Sequence, residues 1–326
     1  MSKQIIISIS REYGSGGHEI ARHLAERFNL PMYDHNLLDE IAAGGNVVRE
    51  IDAKIITETV KRLCIEANCY LPDDMKSCIA TSYEREDWTP ARDIMECIME
   101  NYRIAANEHR PICQDTGLAC IFINLGQDVH VVGDITDAVN EGVRQGYIEG
   151  YLRKSVVQDP LERVNTGDNT PAMIYYDIVP GDQIEIIVAP KGAGSENMSQ
   201  IKMLKPSDGV DGIKNFVLKV VEEAGPNPCP PIVVGVGVGG TFDKAAFLAK
   251  KALLRSTDER NHDVFWAQLE MELLDQINAL GIGPQGFGGR TTALCVNIEQ
   301  FPCHIASLPV AVNINCHVTR HMREVI

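Results

Sequence analysis

The apolar positions of this chain alternate between short continuous runs and longer stretches that repeat with the period of a helix. The continuous, β-branched runs predict strands at 119–124, 183–189, 232–236, 291–298 and 309–314. Apolar residues at helical spacing predict helices at 51–71, 91–108, 135–151, 210–223, 244–254 and 263–280. Because strands and helices are mixed along the chain, the pattern predicts an α/β fold.

Residues 1–46 differ in pattern from the rest. An apolar run at 4–10 predicts a buried strand, and the glycine-rich stretch 14–17 then leads into an amphipathic helix with Ile20, Leu24, Ala25 and Phe28 on one face. A strand, glycine loop and helix in this order can hold a phosphate at the helix N-terminus. The usual phosphate loop has a Gly-Lys pair where this chain has Gly17-His18.

This segment resembles the start of cytidylate kinase-like proteins. A piece of this length buries too little surface to fold reliably alone, so we predict a truncated, non-functional fragment at 1–46. The glycines at 44 and 45 mark a junction with a second domain at 47–326.

The composition is that of a globular protein with an acidic balance. The formal net charge of −15 argues against a nucleic-acid surface. No apolar run is long enough to span a membrane, and the N-terminus lacks the pattern of a signal peptide. We therefore expect a cytoplasmic protein whose 10 cysteines stay reduced and available to a metal. On helical stripes, Cys64, Cys69, Cys78 and Cys97 are predicted to pack in the core.

Three other cysteines stand in polar or proline-rich surroundings. Cys113 is followed by a polar cluster, Cys229 lies among prolines, and Cys316 follows the apolar strand predicted at 309–314. The close C-x-x-C pairs of a structural zinc site are missing from the sequence. Three thiolates suit a [4Fe–4S] cluster whose fourth iron stays open to a substrate oxygen. Spacing alone leaves the choice open, because any three of the 10 cysteines could be picked.

Further motifs surround these cysteines in a fixed order. They are Arg49–Ile51, Ile112–Gly117, Gly192–Met198, Pro228–Pro231, Gly235–Gly240, Gly281–Gly286 and Asn315–His317. Together, from about residue 48 to residue 326, they resemble the alpha subunit, or N-terminal domain, of class I fumarate hydratases and the related L-tartrate dehydratases. The resemblance implies the α/β fold of an iron–sulfur hydro-lyase alpha subunit.

The resemblance also implies the site. Cys113, Cys229 and Cys316 would ligate a [4Fe–4S] cluster, whereas Cys120, Cys295 and Cys303 do not fall at ligand positions. Gln114 and Arg153 would bind the substrate, since a guanidinium fork suits a carboxylate. Asp115 and His304 would serve in proton transfer.

The implied activity is the reversible hydration of fumarate to (S)-malate, and the alpha subunit of L-tartrate dehydratase is the alternative. A nucleotide kinase-like protein and a non-catalytic iron–sulfur scaffold remain as less favoured alternatives. Other substrate-binding residues of the family belong to a beta subunit or C-terminal domain, so we expect a separate beta subunit and a hetero-oligomer. The glycines at 235–240 depart from a dinucleotide motif, and we predict that they allow close backbone packing around the cluster loop.

Overall fold

The structure is a computed structural model that describes residues 17–28 and 48–326. The chain divides between Arg49 and Glu50 into two units. In the first unit, helix α1 spans Gly17–Phe28 and leaves Ile20 and Phe28 exposed. The predicted strand at 4–10, the start of the glycine loop and the predicted domain boundary at residue 46 lie outside the described residues.

The second unit contains the remaining helices and strands, except that the first residue of β1, Arg49, belongs to the first unit. The helices are α2 Ala53–Cys69, α3 Asp73–Arg85, α4 Thr89–Glu108, α5 Ile135–Glu149, α6 Ala193–Glu196, α7 Gly209–Ala224, α8 Phe242–Ala252 and α9 Val264–Ala279. The strands are β1 Arg49–Asp52, β2 Leu118–Gly126, β3 Val129–Val132, β4 Met173–Val179, β5 Ile184–Lys191, β6 Gln200–Leu204, β7 Ile232–Gly239, β8 Ala293–Phe301, β9 Leu308–Asn315 and β10 Met322–Val325. The predicted α/β class is confirmed.

The helices and strands predicted from residue 51 onward are all present, with ends shifted by a few residues. Helix α2 begins at Ala53 because the Asp52 carboxylate accepts a hydrogen bond from Lys54 N at 2.9 Å and caps the first turn. Helices α3 and α6 and the strands β1, β3, β4, β6 and β10 were not predicted. No helix in the described ranges is both long enough and apolar enough to cross a membrane.

The second unit contains two four-stranded sheets, and their strands are arranged in the same way. Their orders are β10-β5-β2-β4 and β6-β9-β7-β8. In the first sheet β2 runs parallel to β4 and antiparallel to β5, and in the second β7 runs parallel to β8 and antiparallel to β9. The start of β2 therefore lies beside the end of β5, and the start of β7 lies beside the end of β9.

Helices bury the apolar faces of both sheets. Helices α2 and α5 pack on the first sheet, around Val60, Val143 and Tyr147. Helices α7 and α9 pack on the second sheet. A Cβ added to Gly235 or Gly237 would overlap backbone carbonyl oxygens of α8. The predicted close packing of these glycines is thus present, but their neighbour is α8 rather than the loop that carries a predicted cluster ligand.

The helical cysteines follow the prediction with one exception. Cys64 and Cys69 are buried, and Cys78 is half-buried against the core beneath α3 and α4. Burial raises the pKa of the Cys64 thiol to about 12. The prediction for Cys97 was wrong, because the buried stripe of α4 includes Met95 and Met99 and leaves Cys97 exposed on another face.

Candidate functional site

The chain segments that carry the three motif cysteines meet at one edge of the two sheets. Cys113 precedes β2, Cys229 precedes β7 and Cys316 follows β9. Burial raises the pKa of the Cys229 thiol, and the nearby Cys113 raises it further. Burial also raises the pKa of Cys316, to which Cys113 again contributes. The structure therefore brings the three predicted ligands into one neighbourhood.

Cys229 has a left-handed backbone, with φ of 56°, which costs a non-glycine residue conformational energy. Hydrogen bonds from two other segments hold its loop. The backbone N and the side-chain Nε2 of Gln285 both donate to the Pro230 carbonyl at 2.8 Å. His317 Nδ1 lies 3.0 Å from the Cys229 carbonyl. Because a carbonyl oxygen only accepts, this contact is a hydrogen bond in the tautomer that carries the proton on Nδ1.

The turn that follows Cys113 is fixed by Asp115. Its carboxylate accepts one bond from Gly117 N at 3.0 Å and another from Ala193 N at 2.9 Å. Gly117 has a left-handed φ of 72°, and a Cβ there would stand 2.6 Å from the carbonyl carbon of Lys191. Glycine is required at this position because β5 lies so close. Gln114, one residue before Asp115, is exposed.

Arg153 is positioned beside the same turn through its backbone. The Thr116 hydroxyl accepts a bond from Arg153 N at 2.9 Å and donates one to Arg153 O at 3.1 Å. Tyr147 is fully buried, and its hydroxyl donates to the Thr116 carbonyl at 2.9 Å. The Arg153 side chain is exposed, and its guanidinium has no hydrogen-bond partner within residues 17–28 and 48–326. It is free to bind an anion.

Two buried cations behind this edge were not found by sequence reasoning. Lys191 Nζ donates to Ser195 Oγ at 2.9 Å and to the Ile314 carbonyl at 2.8 Å, and it lies 3.2 Å from the Glu196 carboxylate. Arg320 is 4% exposed, and its Nη2 donates to the Asp115 carbonyl at 2.6 Å. A signal was available in each case, because Lys191 ends an apolar strand and Arg320 closely follows Cys316.

Glu196 connects Lys191 with a further cation. Lys250 Nζ lies 2.7 Å from one Glu196 oxygen, and Asn313 Nδ2 donates to the other at 2.8 Å. Burial opposes ionisation of Glu196, but the two lysines and these hydrogen bonds outweigh it and lower its pKa to about 2. This network joins the ends of β5 and β9, which flank the cysteine segments.

His304 lies away from the other predicted site residues. It stands in the exposed loop between β8 and β9, where its Nδ1 accepts a bond from Ala306 N at 3.1 Å. The eight residues of β9 separate it from Cys316 by about 25 Å. Within one chain the structure does not bring His304 to the cysteines. A part for His304 in their chemistry would require the loop of a second chain.

The three cysteines do not form a site for a single ion. In the described part of the chain, no three His, Cys, Asp or Glu side chains are close enough to hold one metal ion. A four-iron cluster separates its ligands further, because each thiolate binds a different iron. All ten cysteines are free of disulfide bonds, so the thiols of Cys113, Cys229 and Cys316 are available as ligands.

Comparison with known proteins identifies the family. Residues 57–325 match the model of a family described as Fumarate hydratase (Fumerase), so the chain belongs to that hydro-lyase family. A relative from Methanocaldococcus jannaschii, provisionally named L(+)-tartrate dehydratase subunit alpha, is 48% identical over 81% of this chain and 95% of its own length. L(+)-tartrate dehydratase subunit alpha of Escherichia coli O157:H7 is 33% identical and that of Shigella sonnei 32%, each over 81% of this chain and 88% of its own length. The predicted resemblance is confirmed.

A second match involves the N-terminal part. Residues 6–101 match the model of the Cytidylate kinase-like family. This match extends beyond residue 46, where the sequence predicted the kinase-like fragment to end, and it overlaps the hydro-lyase match from residue 57. The overlapping residues include most of α2, which packs on the first sheet, and all of α3, which packs with α4. These helices are therefore part of the hydro-lyase fold.

Proposed function

We propose that this chain is the alpha subunit of an L(+)-tartrate dehydratase, a hydro-lyase that removes water from a four-carbon hydroxy dicarboxylate. The observation that carries the proposal is the 48% identity to a relative of that name across 95% of the relative's length. The sequence favoured fumarate as the substrate, but the names of the relatives fit the tartrate alternative better. Fumarate hydratase remains the second candidate because the family model bears that description.

We further propose that Cys113, Cys229 and Cys316 hold a [4Fe–4S] cluster. Their free thiols come from three segments that converge on one edge, and Arg320 provides a buried positive charge behind them. When bound, a cluster with three protein ligands supplies an open iron as a Lewis acid for a substrate oxygen.

The side chains around this edge have separate tasks in the proposal. The exposed Arg153 guanidinium binds one substrate carboxylate in a fork, and the exposed Gln114 amide adds a hydrogen bond. Asp115 fixes the turn that presents Gln114, and each of its oxygens keeps a lone pair that can accept a bond from a substrate hydroxyl. His304 receives no task within a single chain.

A dicarboxylate has a second charged end, for which we propose a beta subunit. The relatives are named as alpha subunits, which supports a hetero-oligomer. A cation from the partner would bind the second carboxylate and orient the C–H and C–OH bonds that break. Loss of such orientation costs a large part of catalysis.

The first experiment compares substrates. The chain is isolated anaerobically together with its beta subunit, and the release of oxaloacetate from L-tartrate is compared with the interconversion of malate and fumarate. We expect kcat/KM to be at least about 10-fold higher for L-tartrate, a difference of about 1.4 kcal/mol in transition-state binding. Faster turnover of malate and fumarate would establish the second candidate. No turnover of either substrate would refute the hydro-lyase proposal.

The second experiment tests the ligands. Cys113→Ser, Cys229→Ser and Cys316→Ser should each lose stable iron binding after anaerobic reconstitution. Two controls should keep it, namely Cys303→Ser at the far end of the second sheet and the buried Cys64→Ser. Equal iron content in all five variants would show that the ligand assignment is wrong.

A further inference from the structure

Arg320 links the chain segments of two proposed cluster ligands. It lies in the short connection between β9 and β10, four residues after Cys316. Its Nη2 donates to the carbonyl of Asp115, two residues after Cys113, at 2.6 Å. The side chain is 4% exposed, so this link lies inside the protein.

The guanidinium is buried without an anionic partner. Its Nε and Nη1 have no hydrogen-bond partner, and the single bond that it makes goes to a neutral carbonyl. Other cations of the described ranges that are buried or largely buried differ in this respect. Lys191 lies 3.2 Å from Glu196, and Arg255 pairs with both Glu270 and Glu299. A buried charge left without an opposite charge is costly, so an anion is expected beside Arg320.

The immediate surroundings do not supply that anion. Arg320 borders a cavity of about 10 Å³ that is also lined by Lys191, Lys250 and His321. A space of this size holds about one water. One water can accept a hydrogen bond from the free Nε or Nη1, but it cannot neutralise the charge. The carboxylate of Glu196 is already shared between Lys191 and Lys250.

We propose that Arg320 is a positioning residue for the iron–sulfur cluster, which holds the Cys113 and Cys316 segments together and supplies the positive charge that offsets their thiolates. The inference rests on the proposed cluster. Groups that hold metal ligands in position from outside the ligand shell strengthen metal binding, and Arg320 would do so through the carbonyl two residues after Cys113. A nearby positive charge and N–H donors also raise the reduction potential of a cluster, because they stabilise its more negative, reduced form.

The test uses three substitutions of Arg320 and a matched control. Arg320→Lys keeps the charge but loses the fork, Arg320→Gln keeps an N–H donor without the charge, and Arg320→Met keeps neither. The control is Arg323→Met, three residues further on, whose side chain is 74% exposed. Each protein is reconstituted anaerobically. Iron per chain, the rate of iron loss to a chelator and the reduction potential are then measured, with circular dichroism of the iron-free protein as the check of folding.

We expect Arg320→Gln and Arg320→Met to lose iron about 10- to 100-fold faster than the unsubstituted protein and to have a more negative reduction potential. Arg320→Lys should keep a potential near that of the unsubstituted protein and lose iron at an intermediate rate. Arg323→Met should change neither quantity.

Folded Arg320→Gln with an unchanged potential and unchanged iron loss would overturn the proposal while leaving the cluster itself intact. The same holds if all three substitutions accelerate iron loss but none moves the potential, since that pattern reflects structure alone. Arg320→Gln retains a donor for the Asp115 carbonyl, so we expect it to fold. It therefore tests the role of the positive charge even if Arg320→Met does not fold. If the unsubstituted protein binds no iron, the inference fails together with the proposed cluster.

Discussion

Gly117 offers a direct test of how tightly the site is built, through the substitution Gly117→Ala. Its φ of 72° is left-handed, and an added Cβ would lie 2.6 Å from Lys191 C and 2.7 Å from Lys191 N and O. Ordinary contact begins at 3.4 Å, so the backbone of β5 would have to move by about 0.8 Å. That movement would disturb the pairing of Leu118 with Lys191 and the bond from Lys191 Nζ to the Ile314 carbonyl.

The magnitude follows from two contributions. A left-handed alanine costs about 1–2 kcal/mol, of which about 0.4–1 kcal/mol is offset because alanine restricts the unfolded chain. Forcing an extra carbon into a packed site adds about 1–3 kcal/mol. Gly117→Ala should therefore lower the free energy of unfolding by about 1.5–4 kcal/mol, a large part of the stability of an ordinary domain.

Gly167→Ala is the matched control. Gly167 also has a left-handed φ, of 83°, but no atom lies within 4 Å of the position of its Cβ. This substitution should cost only about 0.5–1 kcal/mol, the backbone contribution alone. Both free energies come from urea unfolding followed by circular dichroism, with equal m-values as the condition for comparison. If Gly117→Ala costs no more than Gly167→Ala, the argument from close approach of β5 is refuted.

Three other predictions concern the same edge of the sheets. Tyr147→Phe should destabilise the protein by about 1–3 kcal/mol in urea unfolding, because the Thr116 and Gly117 carbonyls lose a buried donor at 2.9 and 3.1 Å. As the control, Tyr176→Phe at a half-exposed position should change stability by less than about 0.5 kcal/mol. Glu196 has a folded pKa of about 2, lowered from 4.5, so it stabilises the fold above pH 4.5 and loses this contribution as the pH falls toward 2. Since its side chain is 37% exposed, we expect this contribution to the free energy of unfolding to be about 1–2 kcal/mol. Glu196→Gln should flatten the dependence of stability on pH in this range. An unchanged dependence would contradict the ion-pair argument. Arg153→Lys should reduce kcat/KM of the complex by about 10- to 100-fold while the exposed Arg163→Lys does not, because only the fork at 153 is proposed to bind a carboxylate.

Much of the fold followed from the sequence because its buried strands are unusually apolar. Strand β7 is buried at every position, and β2 and β9 nearly so, which makes their runs visible without knowledge of their neighbours. Helix α3 was missed because only Met75 and Ile79 are buried among largely polar residues. Strand β4 was missed because it is a half-exposed edge strand, whose apolar run is interrupted by Asp177.

The residue types of the candidate site were likewise visible in the sequence. Cys113, Cys229 and Cys316 stand out because polar residues and prolines surround them where a core cysteine would have apolar neighbours. A motif of this kind states which chemical groups are present. It does not state the direction in which the flanking strands run, and that direction decides which motifs meet.

Which of the candidate site residues meet was decided by the tertiary structure, because it sets the direction in which each strand runs. His304 is close to Cys316 along the chain, yet β9 carries the two to opposite ends of the second sheet. Lys191 is far from Cys316 along the chain, but the two strands that end near these residues come together, and Lys191 bonds to the Ile314 carbonyl. Arg320 closely follows Cys316 in the sequence, but the sequence does not show that its side chain is buried. Its burial and its hydrogen bond to the Asp115 carbonyl arise only in the folded chain, which brings residues distant in sequence around it.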